Sequence, residues 1–333
     1  MAAVFGCSGF VGGHVVAKLL ERGHPVRGVS RHASKATWLK DLPWAGTGEA
    51  SGDKVEFVDL DLGQPKEDLA NALDSALQGC GSVFMCAGVE HQKKEVIDFM
   101  VTAGQEIIRA ARRQGVEAVV LNSSGGSTNP PGHKDEDPKN EIDHWSDPEQ
   151  QIANEKYSPA AKTKMELTAF QEVGRNKRDE VVDETRAKES PRLCIVNPNL
   201  ILGPQLDPGP VNGNSLPMFA KIYRGESMNE KVPNDSMSII DVRDLASIFV
   251  ACAENTSATG RYFGVNRSFT WSDILDAIKH ADSSYEKPPM FEEDPKTPTQ
   301  FDFTRRDSLG VKLRNLDETM ADVIEYLKSK SKI

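Results

Sequence analysis

The chain has 333 residues, of which 38% are hydrophobic and 27% charged. This composition is typical of a soluble globular protein with one large α/β unit or two coupled domains. The formal net charge of −10 argues against nucleic acid and an anionic membrane surface as main partners. No apolar run approaches the roughly 18 residues of a membrane span, and no signal peptide is evident. We therefore expect a cytoplasmic protein, monomeric or homodimeric.

Five cysteines are scattered along the chain, most of them inside apolar runs: Cys7, Cys80, Cys86, Cys194 and Cys252. An odd number of scattered cysteines predicts free thiols in a reducing compartment. Cys80 and Cys86 are too far apart for a zinc knuckle and lack a histidine partner pattern. The sequence therefore predicts no metal site.

The first 122 residues alternate short apolar runs with amphipathic stretches. The apolar runs predict strands at residues 2–5, 25–30, 55–60, 82–86 and 116–122. The stretches between them predict helices at 9–22, 34–42 and 66–77, and a longer one over about 96–111 that Gly115 ends. Strands and helices that alternate at this rhythm predict right-handed crossovers and a doubly wound parallel sheet.

The second half of the chain changes character. Residues 127–156 are polar and predict a long loop over the carboxyl edge of the sheet. A helix is expected from 159 to about 173, then a charged insertion over 174–190 and a buried strand over 192–197. Beyond Pro204, short mixed segments predict a smaller α+β lobe. The predicted fold class is therefore α/β: a Rossmann-type doubly wound parallel sheet with a smaller, interleaved α+β substrate lobe.

A glycine-rich loop joins the first predicted strand to the first helix. It has the pattern GxxGxxG and offers six residues to a ligand: Gly6, Ser8, Gly9, Phe10, Val11 and Gly12. Glycines allow a tight turn and let the backbone approach a pyrophosphate, whose charge then lies at the helix N-terminus. The strand–turn–helix context strengthens the motif. The loop therefore predicts a bound dinucleotide.

The ends of the second and third strands indicate which dinucleotide binds. A carboxylate at the end of the second strand would favour NAD, but the chain has Arg31 there, with Lys35 one helical turn on. Two cations suit a 2′-phosphate, because guanidinium pairs with phosphate oxygens. The sequence therefore predicts NADP (NADPH). After the third strand, Asp61 and Leu62 are expected beside the adenine, with Asp59 as the alternative at the surface.

Six segments carry a resemblance to a known family: GCSGFVGGHVV, VRGVSRHASK, LNSSGG, EIDHWSDPE, IVNPNLILGP and IIDVRDLA. With them the chain resembles the extended short-chain dehydrogenase/reductases, in the branch of the dihydroflavonol and cinnamoyl-CoA reductases. The resemblance implies an NADP-dependent oxidoreductase that moves hydride to or from the carbonyl carbon of a small carbonyl or alcohol substrate. It further implies that residues 1–200, with 236–255 returning, mainly bind NADP, while 201–333 mainly form the substrate lobe.

The resemblance also assigns site residues. The catalytic serine would be Ser124 and the catalytic lysine Lys162, with Tyr157 as the acid. Seven further residues would line the cofactor: Cys86, Ala87 and Gly88 after the fourth strand, and Pro198, Asn199, Leu200 and Ile201 opposite the nicotinamide amide. Ser123 would lie beside them. The substrate pocket would be built by Glu90–His91, the loop after Gly125 and residues 209–223.

The chemistry asks for these residue types. A tyrosine has a pKa of about 10, and a neighbouring lysine ammonium lowers it toward neutrality. Lys162 would also hold the nicotinamide ribose. Ser124 would donate a hydrogen bond to the substrate oxygen as charge develops on it.

The tyrosine departs from the family pattern. The family places it four residues before the lysine, but position 158 is serine and Tyr157 stands five before Lys162. On a continuous helix one extra residue turns a side chain by about 100°. Ser158 followed by Pro159 is a typical helix start, so we expect Tyr157 to precede the helix and still reach the site. If the helix begins earlier, Ser158 occupies the place of the acid.

Two other functions stay open from the sequence. With Ser158 in the place of the acid, the chain would be a non-catalytic dinucleotide-binding or sensor protein on the same fold. A sugar-nucleotide epimerase or dehydratase that retains NAD is a third reading, which Arg31 and Lys35 disfavour. The segment 241–244, DVRD, is expected to pack the two lobes together rather than to catalyse.

Overall fold

The computed structural model describes residues 1–88, 93–211, 213–228 and 231–333. Its strands are β1 (Ala2–Phe5), β2 (Val26–Ser30), β3 (Val55–Asp59), β4 (Ser82–Met85), β5 (Ala118–Asn122), β6 (Arg192–Pro198), β7 (Leu200–Leu202), β8 (Ser236–Asp241), β9 (Gly260–Gly264) and β10 (Arg267–Thr270). Its α-helices are α1 (Phe10–Glu21), α2 (Lys66–Leu77), α3 (Glu95–Arg113), α4 (Pro148–Ala153), α5 (Tyr157–Glu172), α6 (Glu184–Glu189), α7 (Ser215–Tyr223), α8 (Val242–Glu254), α9 (Trp271–Ala281), α10 (Thr304–Asp307) and α11 (Leu316–Ser329). Short 3-10 helices cover Ala33–Lys35, Thr37–Asp41, Gly52–Lys54 and Gly125–Ser127.

Seven strands form one parallel sheet in the order β3-β2-β1-β4-β5-β6-β9. Strand β1 is buried on both faces, as parallel sheets covered by helices require. Ala3 and Phe5 point into a core shared with α2, α3 and α5, which we call the α3-face core. Ala2 and Val4 point into a core shared with α1 and α8, the α1-face core. Alternate residues of one strand therefore supply both cores, and the predicted fold class is confirmed.

The smaller lobe has a three-stranded sheet of its own. Strand β8 pairs with β7 in parallel and with β10 in antiparallel fashion. Helices α7, α9 and α11 pack a third core against this sheet. Helix α8, which directly follows β8 in the chain, packs instead on α1, a helix of the large sheet. The strand after it, β9, joins the large sheet beside β6. The chain thus crosses repeatedly between the two sheets, while the division into domains at residue 200 stays a prediction.

His14 ties helix α1 to the segment that enters the smaller lobe. Its Nε2 lies 2.9 Å from the carbonyl oxygen of Pro204. Burial lowers the pKa of this imidazole to about 4, so at neutral pH the uncharged ring donates to that carbonyl. The contact fixes α1 relative to the chain beyond β7.

Two elements differ from the sequence-based expectation. The segment predicted as a helix at 34–42 is a pair of 3-10 helices, because both carboxylate oxygens of Asp59 accept hydrogen bonds from Ser34, one from its N–H and one from its hydroxyl, each at 3.0 Å. Helix α5 begins two residues before the predicted start. Glu155 has a left-handed backbone, with φ +57°, and turns the chain so that the carbonyl of Lys156 accepts from the N–H of Ala160 at 3.1 Å.

A buried ion pair joins α5 to the large sheet. Arg261 of β9 and Glu166 of α5 have side chains that are 1% and 0% exposed, and Nε lies 2.9 Å from Oε2. The other guanidinium nitrogens donate to backbone carbonyls of the long loop, those of Ser127, Glu141 and His144. The guanidinium also stacks 3.9 Å above the ring of Trp145. One arginine therefore holds α5, β9 and the loop over the carboxyl edge together.

Within the described ranges, the structure contains no helix whose length and hydropathy would let it span a bilayer. All five cysteines are free.

The Arg261–Glu166 pair yields a stability prediction. Arg261→Met leaves the Glu166 carboxylate buried without its cation and should lower the free energy of unfolding by about 3–5 kcal/mol, measured by urea denaturation. The matched control is Arg178→Met, which removes a half-exposed ion pair with Asp143 and should cost less than about 1 kcal/mol. Equal losses in the two variants would contradict the prediction.

Candidate functional site

A cleft of about 630 Å³ opens at the carboxyl ends of the large sheet. It brings together fifteen of the predicted site residues: Gly6, Ser8, Gly9, Phe10, Val11, Gly12, Arg31, Asp61, Leu62, Cys86, Ala87, Gly88, Ser123, Lys162 and Ile201. Among the described residues, six predicted ones do not line it: Lys35, Ser124, Tyr157, Pro198, Asn199 and Leu200. The roles assigned to all of them stay predictions, and the pocket residues Glu90 and His91 lie outside the described ranges.

The glycine loop is shaped by close backbone contacts. Gly6 has φ +78°, a left-handed conformation, and a Cβ there would lie 2.8 Å from the backbone nitrogen of Ala87. A Cβ on Gly12 would lie 2.0 Å from the carbonyl oxygen of Gly6. Helix α1 starts after Gly9, an N-cap without a side-chain hydrogen bond, so its first backbone N–H groups suit a phosphate. The loop is a cradle that side chains would fill, and it fits a dinucleotide pyrophosphate.

The cationic end of the cleft differs from the expected pair. Arg31 lines the cleft together with His32, and both side chains are exposed. Lys35 does not line it, because the Ser34–Asp59 hydrogen bonds coil this segment as a 3-10 turn. The N–H of Ser34 also lowers the pKa of Asp59. Asp59 therefore shapes the loop, and His32 is a residue of the cleft wall to which the sequence assigned no role.

Part of the cleft wall is apolar. Leu62 lies beside Val96, Phe99 and Met100 of α3 in the cleft wall. Asp61 also lines the cleft and accepts a hydrogen bond from the N–H of Gly63 at 2.9 Å. The α3 residues were expected only as a helical apolar face. They line the cleft as well as packing against the core, and an apolar sequence pattern does not distinguish the two.

Lys162 is held between β5 and α5. Its Nζ donates to the carbonyl oxygen of Asn122 at 2.6 Å. Desolvation lowers the pKa of this ammonium to about 8, although the carboxylate of Glu166 acts in the opposite direction. Burial raises the pKa of Cys86 to about 12, so that thiol stays protonated. Lys162 is therefore a cleft-facing cation that loses its proton readily.

The two adjacent serines have different partners. The hydroxyl of Ser123 donates to Glu166, and the same carboxylate oxygen accepts from Nδ2 of Asn197 at 2.7 Å. The hydroxyl of Ser124 accepts from the N–H of Gly126 at 3.0 Å and caps the turn that follows. A hydroxyl that accepts one hydrogen bond retains a proton to donate. Ser124 thus lies at the start of the loop, beside the cleft wall that Ser123 forms.

The segment after β6 packs on this loop. A Cβ on Gly125 would fall 1.8 Å from Oδ1 of Asn199, so the asparagine amide covers the backbone next to Ser124. Of the four residues from Pro198 on, Ile201 alone is in the described cleft wall. Of the predicted pocket range 209–223, residues 213–216 line the cleft.

The expectation that Tyr157 precedes the helix is wrong. Tyr157 is the first residue of α5, and its ring is half-buried against the α3-face core. Ser158 lines the cleft instead, together with Lys162. The cause is the early helix start at the Lys156 carbonyl, which fixes the helical phase of both residues. Of the two helix starts that the sequence left open, the structure adopts the earlier one, while the role of Ser158 stays a prediction.

Comparison with known proteins covers nearly the whole chain. A family model described as NAD(P)H-binding matches residues 6–161. Cinnamoyl-CoA reductase 1 of Oryza sativa subsp. japonica is 26% identical over 335 residues, which cover 99% of this chain and 91% of that protein. The structure of vestitone reductase from alfalfa (Medicago sativa) has a TM-score of 0.78 at 19% identity and covers 100% of this chain and 99% of its own.

Yeast methylglyoxal/isovaleraldehyde reductase Gre2, complexed with NADPH, has a TM-score of 0.76 at 21% identity, with both chains covered in full. The predicted NADP cofactor and the resemblance of the sequence are therefore confirmed. The two solved structures support the fold.

The glycine cradle yields a prediction about binding. Gly12→Ala places a methyl group against the Gly6 carbonyl, so it should destabilise the protein by about 1–3 kcal/mol and weaken NADPH binding at least tenfold. Thermal denaturation and fluorescence titration with NADPH measure the two effects. The matched control is Gly81→Ala, where no described atom lies within 4 Å of the added Cβ and which does not line the described cleft. If both variants bind NADPH like the wild type, the cradle does not hold the cofactor.

Proposed function

From its NAD(P)H-binding domain and its whole-length likeness to reductases of the extended short-chain dehydrogenase/reductase type, we propose that this chain is an NADPH-dependent reductase of a small carbonyl compound. The observation that carries the proposal is that a lysine with a lowered pKa and a glycine cradle line one cleft. The cradle suits the pyrophosphate, and the lysine suits the reacting end.

The binding roles follow from charge and position. The first turn of α1 would hold the pyrophosphate through backbone N–H groups. Arg31 would pair with the 2′-phosphate, which favours NADPH over NADH. Asp61 would accept from the adenine amine, beside the apolar part of the cleft wall around Leu62. Lys162 would donate to the ribose hydroxyls at the nicotinamide end.

The chemistry requires a hydride, a proton and a way to hold the substrate oxygen. When bound, the cofactor would supply the hydride that a carbonyl carbon accepts. With a pKa of about 8, Lys162 is an ammonium in about nine molecules of ten at pH 7, so it holds the proton that the developing alkoxide needs. The Ser124 hydroxyl would donate to the same oxygen and stabilise its charge.

A second function is favoured by a specific observation. Ser158 faces the cleft where the family has a tyrosine, and a serine hydroxyl is far less acidic than a phenol. A protein that binds the dinucleotide without turnover, as a sensor, would keep the glycine cradle, Arg31 and Lys162 and need no phenol.

One experiment separates the two functions. Purified protein is titrated with NADPH and then mixed with a panel of aldehydes and ketones, while the absorbance of the reduced cofactor is followed. The reductase predicts tight binding and substrate-dependent loss of absorbance. Binding without turnover across the panel supports the sensor instead, and failure to bind NADPH contradicts both.

Cofactor choice is predicted to depend on Arg31. Arg31→Ala should narrow the preference for NADPH over NADH by about 1–3 kcal/mol, the range for a hydrogen bond to a charged group. Lys35→Ala is the matched control, since Lys35 does not line the described cleft, and it should change the preference far less. Competitive binding of the two cofactors gives both values. Equal affinity of the wild type for NADPH and NADH would remove the basis of the prediction.

The rate of reduction is predicted to fall as pH rises through about 8. Because burial lowers the pKa of Lys162 to that value, its ammonium is present below pH 8 and lost above it. The quantity to measure is kcat/KM for carbonyl reduction, which should drop about tenfold per pH unit on the alkaline side. Lys162→Ala should be slower at every pH and lack this limb. If the decline of kcat/KM above pH 8 is unchanged in Lys162→Ala, a group other than Lys162 causes it.

A further inference from the structure

Helix α5 presents two polar side chains to the cleft. Ser158 and Lys162 are four residues apart, so they stand about 40° from each other around the helix and are surface neighbours. Both line the described cleft. Tyr157 stands about 140° from Lys162, and its ring contacts the α3-face core. The reacting end of the cleft therefore meets a serine and a lysine of α5.

This phase is fixed by the backbone rather than by a flexible side chain. The Ala160 N–H donates to the Lys156 carbonyl, so residues 157–160 already form the first helical turn. Pro159 is tolerated there because the N–H groups of a first turn have no partner within the helix. Bringing Tyr157 round to Lys162 would require this turn to unwind.

The groups that face Lys162 restrict where its proton goes. The Asn122 carbonyl accepts from Nζ, Glu166 lies one turn further along α5, and Cys86 approaches from the end of β4. Glu166 is engaged by Arg261, Ser123 and Asn197. Burial keeps the Cys86 thiol protonated, so it does not accept a proton from the ammonium. Ser158 is then the cleft-facing hydroxyl next to Lys162 on the helix surface.

Resting on the proposed function, we propose that the Ser158 hydroxyl contacts the substrate carbonyl oxygen and relays to it the proton of Lys162. As the carbonyl carbon accepts the hydride that bound NADPH would supply, the π-electron pair would move to oxygen, and that oxygen would take the Ser158 proton. The serine oxygen takes a proton from the Lys162 ammonium at the same time. The amine regains its proton from solvent between turnovers, so the serine ends unchanged.

The test compares four proteins: wild type, Ser158→Ala, Ser158→Thr and Tyr157→Phe. Ser158→Ala should lower kcat by on the order of 10²-fold while NADPH affinity stays within about twofold. Ser158→Thr keeps the hydroxyl and should retain most of the rate. Tyr157→Phe keeps its ring in the core and should stay within about threefold of wild type. Thermal denaturation and NADPH titration confirm that each variant is folded.

A second readout needs no turnover. In the cofactor-free protein, the pH dependence of Lys162 acylation, followed by peptide mass spectrometry, reports the pKa of this amine. The proposed relay places the Ser158 oxygen next to the ammonium, so Ser158→Ala should lower that pKa further, whereas Tyr157→Phe should leave it unchanged.

The outcomes distinguish this relay from the proposed function. A wild type that binds NADPH but reduces no carbonyl compound overturns the proposed function and the relay with it. A wild type that turns over, with Ser158→Ala equally fast, overturns the relay alone. A large loss of kcat in Tyr157→Phe, together with a shift in the pH dependence of Lys162 acylation, would show that the phenol of Tyr157 donates the proton and would also overturn the relay.

Discussion

The carboxylate of Glu166 is fully buried. The residues that stabilise it connect several elements of the fold. An isolated buried charge costs many kcal/mol, so it persists only with a counter-charge and hydrogen-bond donors. Arg261 supplies the counter-charge, while Ser123 and Asn197 donate to the other oxygen. Glu166 lies in α5, Arg261 in β9 and Asn197 in β6, and Ser123 directly follows β5. Satisfying one carboxylate therefore fixes the relative positions of a helix and three strands.

The candidate site inherits its geometry from this arrangement. Lys162 is one helical turn before Glu166, so the anchoring of the carboxylate also sets the depth at which the lysine enters the cleft. The Ser123 hydroxyl donates to Glu166. Its neighbour Ser124 begins the loop whose backbone carbonyls accept hydrogen bonds from Arg261. The cofactor cradle stands on the other side, built from backbone contacts between β1, α1 and the end of β4. The glycine cradle and the side of the cleft with Lys162 and Ser123 thus rest on separate structural supports.

Much of the fold could be predicted from the sequence because its determinants are local. Short apolar runs, the glycine loop and helical periodicity each report on their own segment, and together they indicated the parallel sheet and the dinucleotide site. The phase of α5 could not be predicted in this way. Ser158 and Pro159 form a good local start signal, but the left-handed turn at Glu155 brings the Lys156 carbonyl into the helix first.

The remaining surprises depend on partners distant in the chain. Arg261 lies far from Glu166 in sequence, and no spacing rule joins them. Lys35 was expected at the cleft by helical spacing, yet Asp59, on another strand, coils that segment. The same reasoning missed Phe99 and Met100, whose apolar pattern looks like ordinary core. At these positions the sequence indicated the chemical character of each side chain. It did not indicate the partner, distant in the chain, that determines where the side chain lies.

The connections between the two sheets have a mechanical consequence. The chain passes from β6 to β7 through the single residue Asn199, from β8 directly into α8, and from β9 to β10 through two residues. A rotation of one sheet relative to the other would have to change the backbone at these three junctions together. Connections of at most two residues leave little conformational freedom for such a change. If the chain reduces carbonyl compounds as proposed, we therefore expect its selectivity among them to depend on the side chains of the cleft wall more than on relative movement of the two sheets.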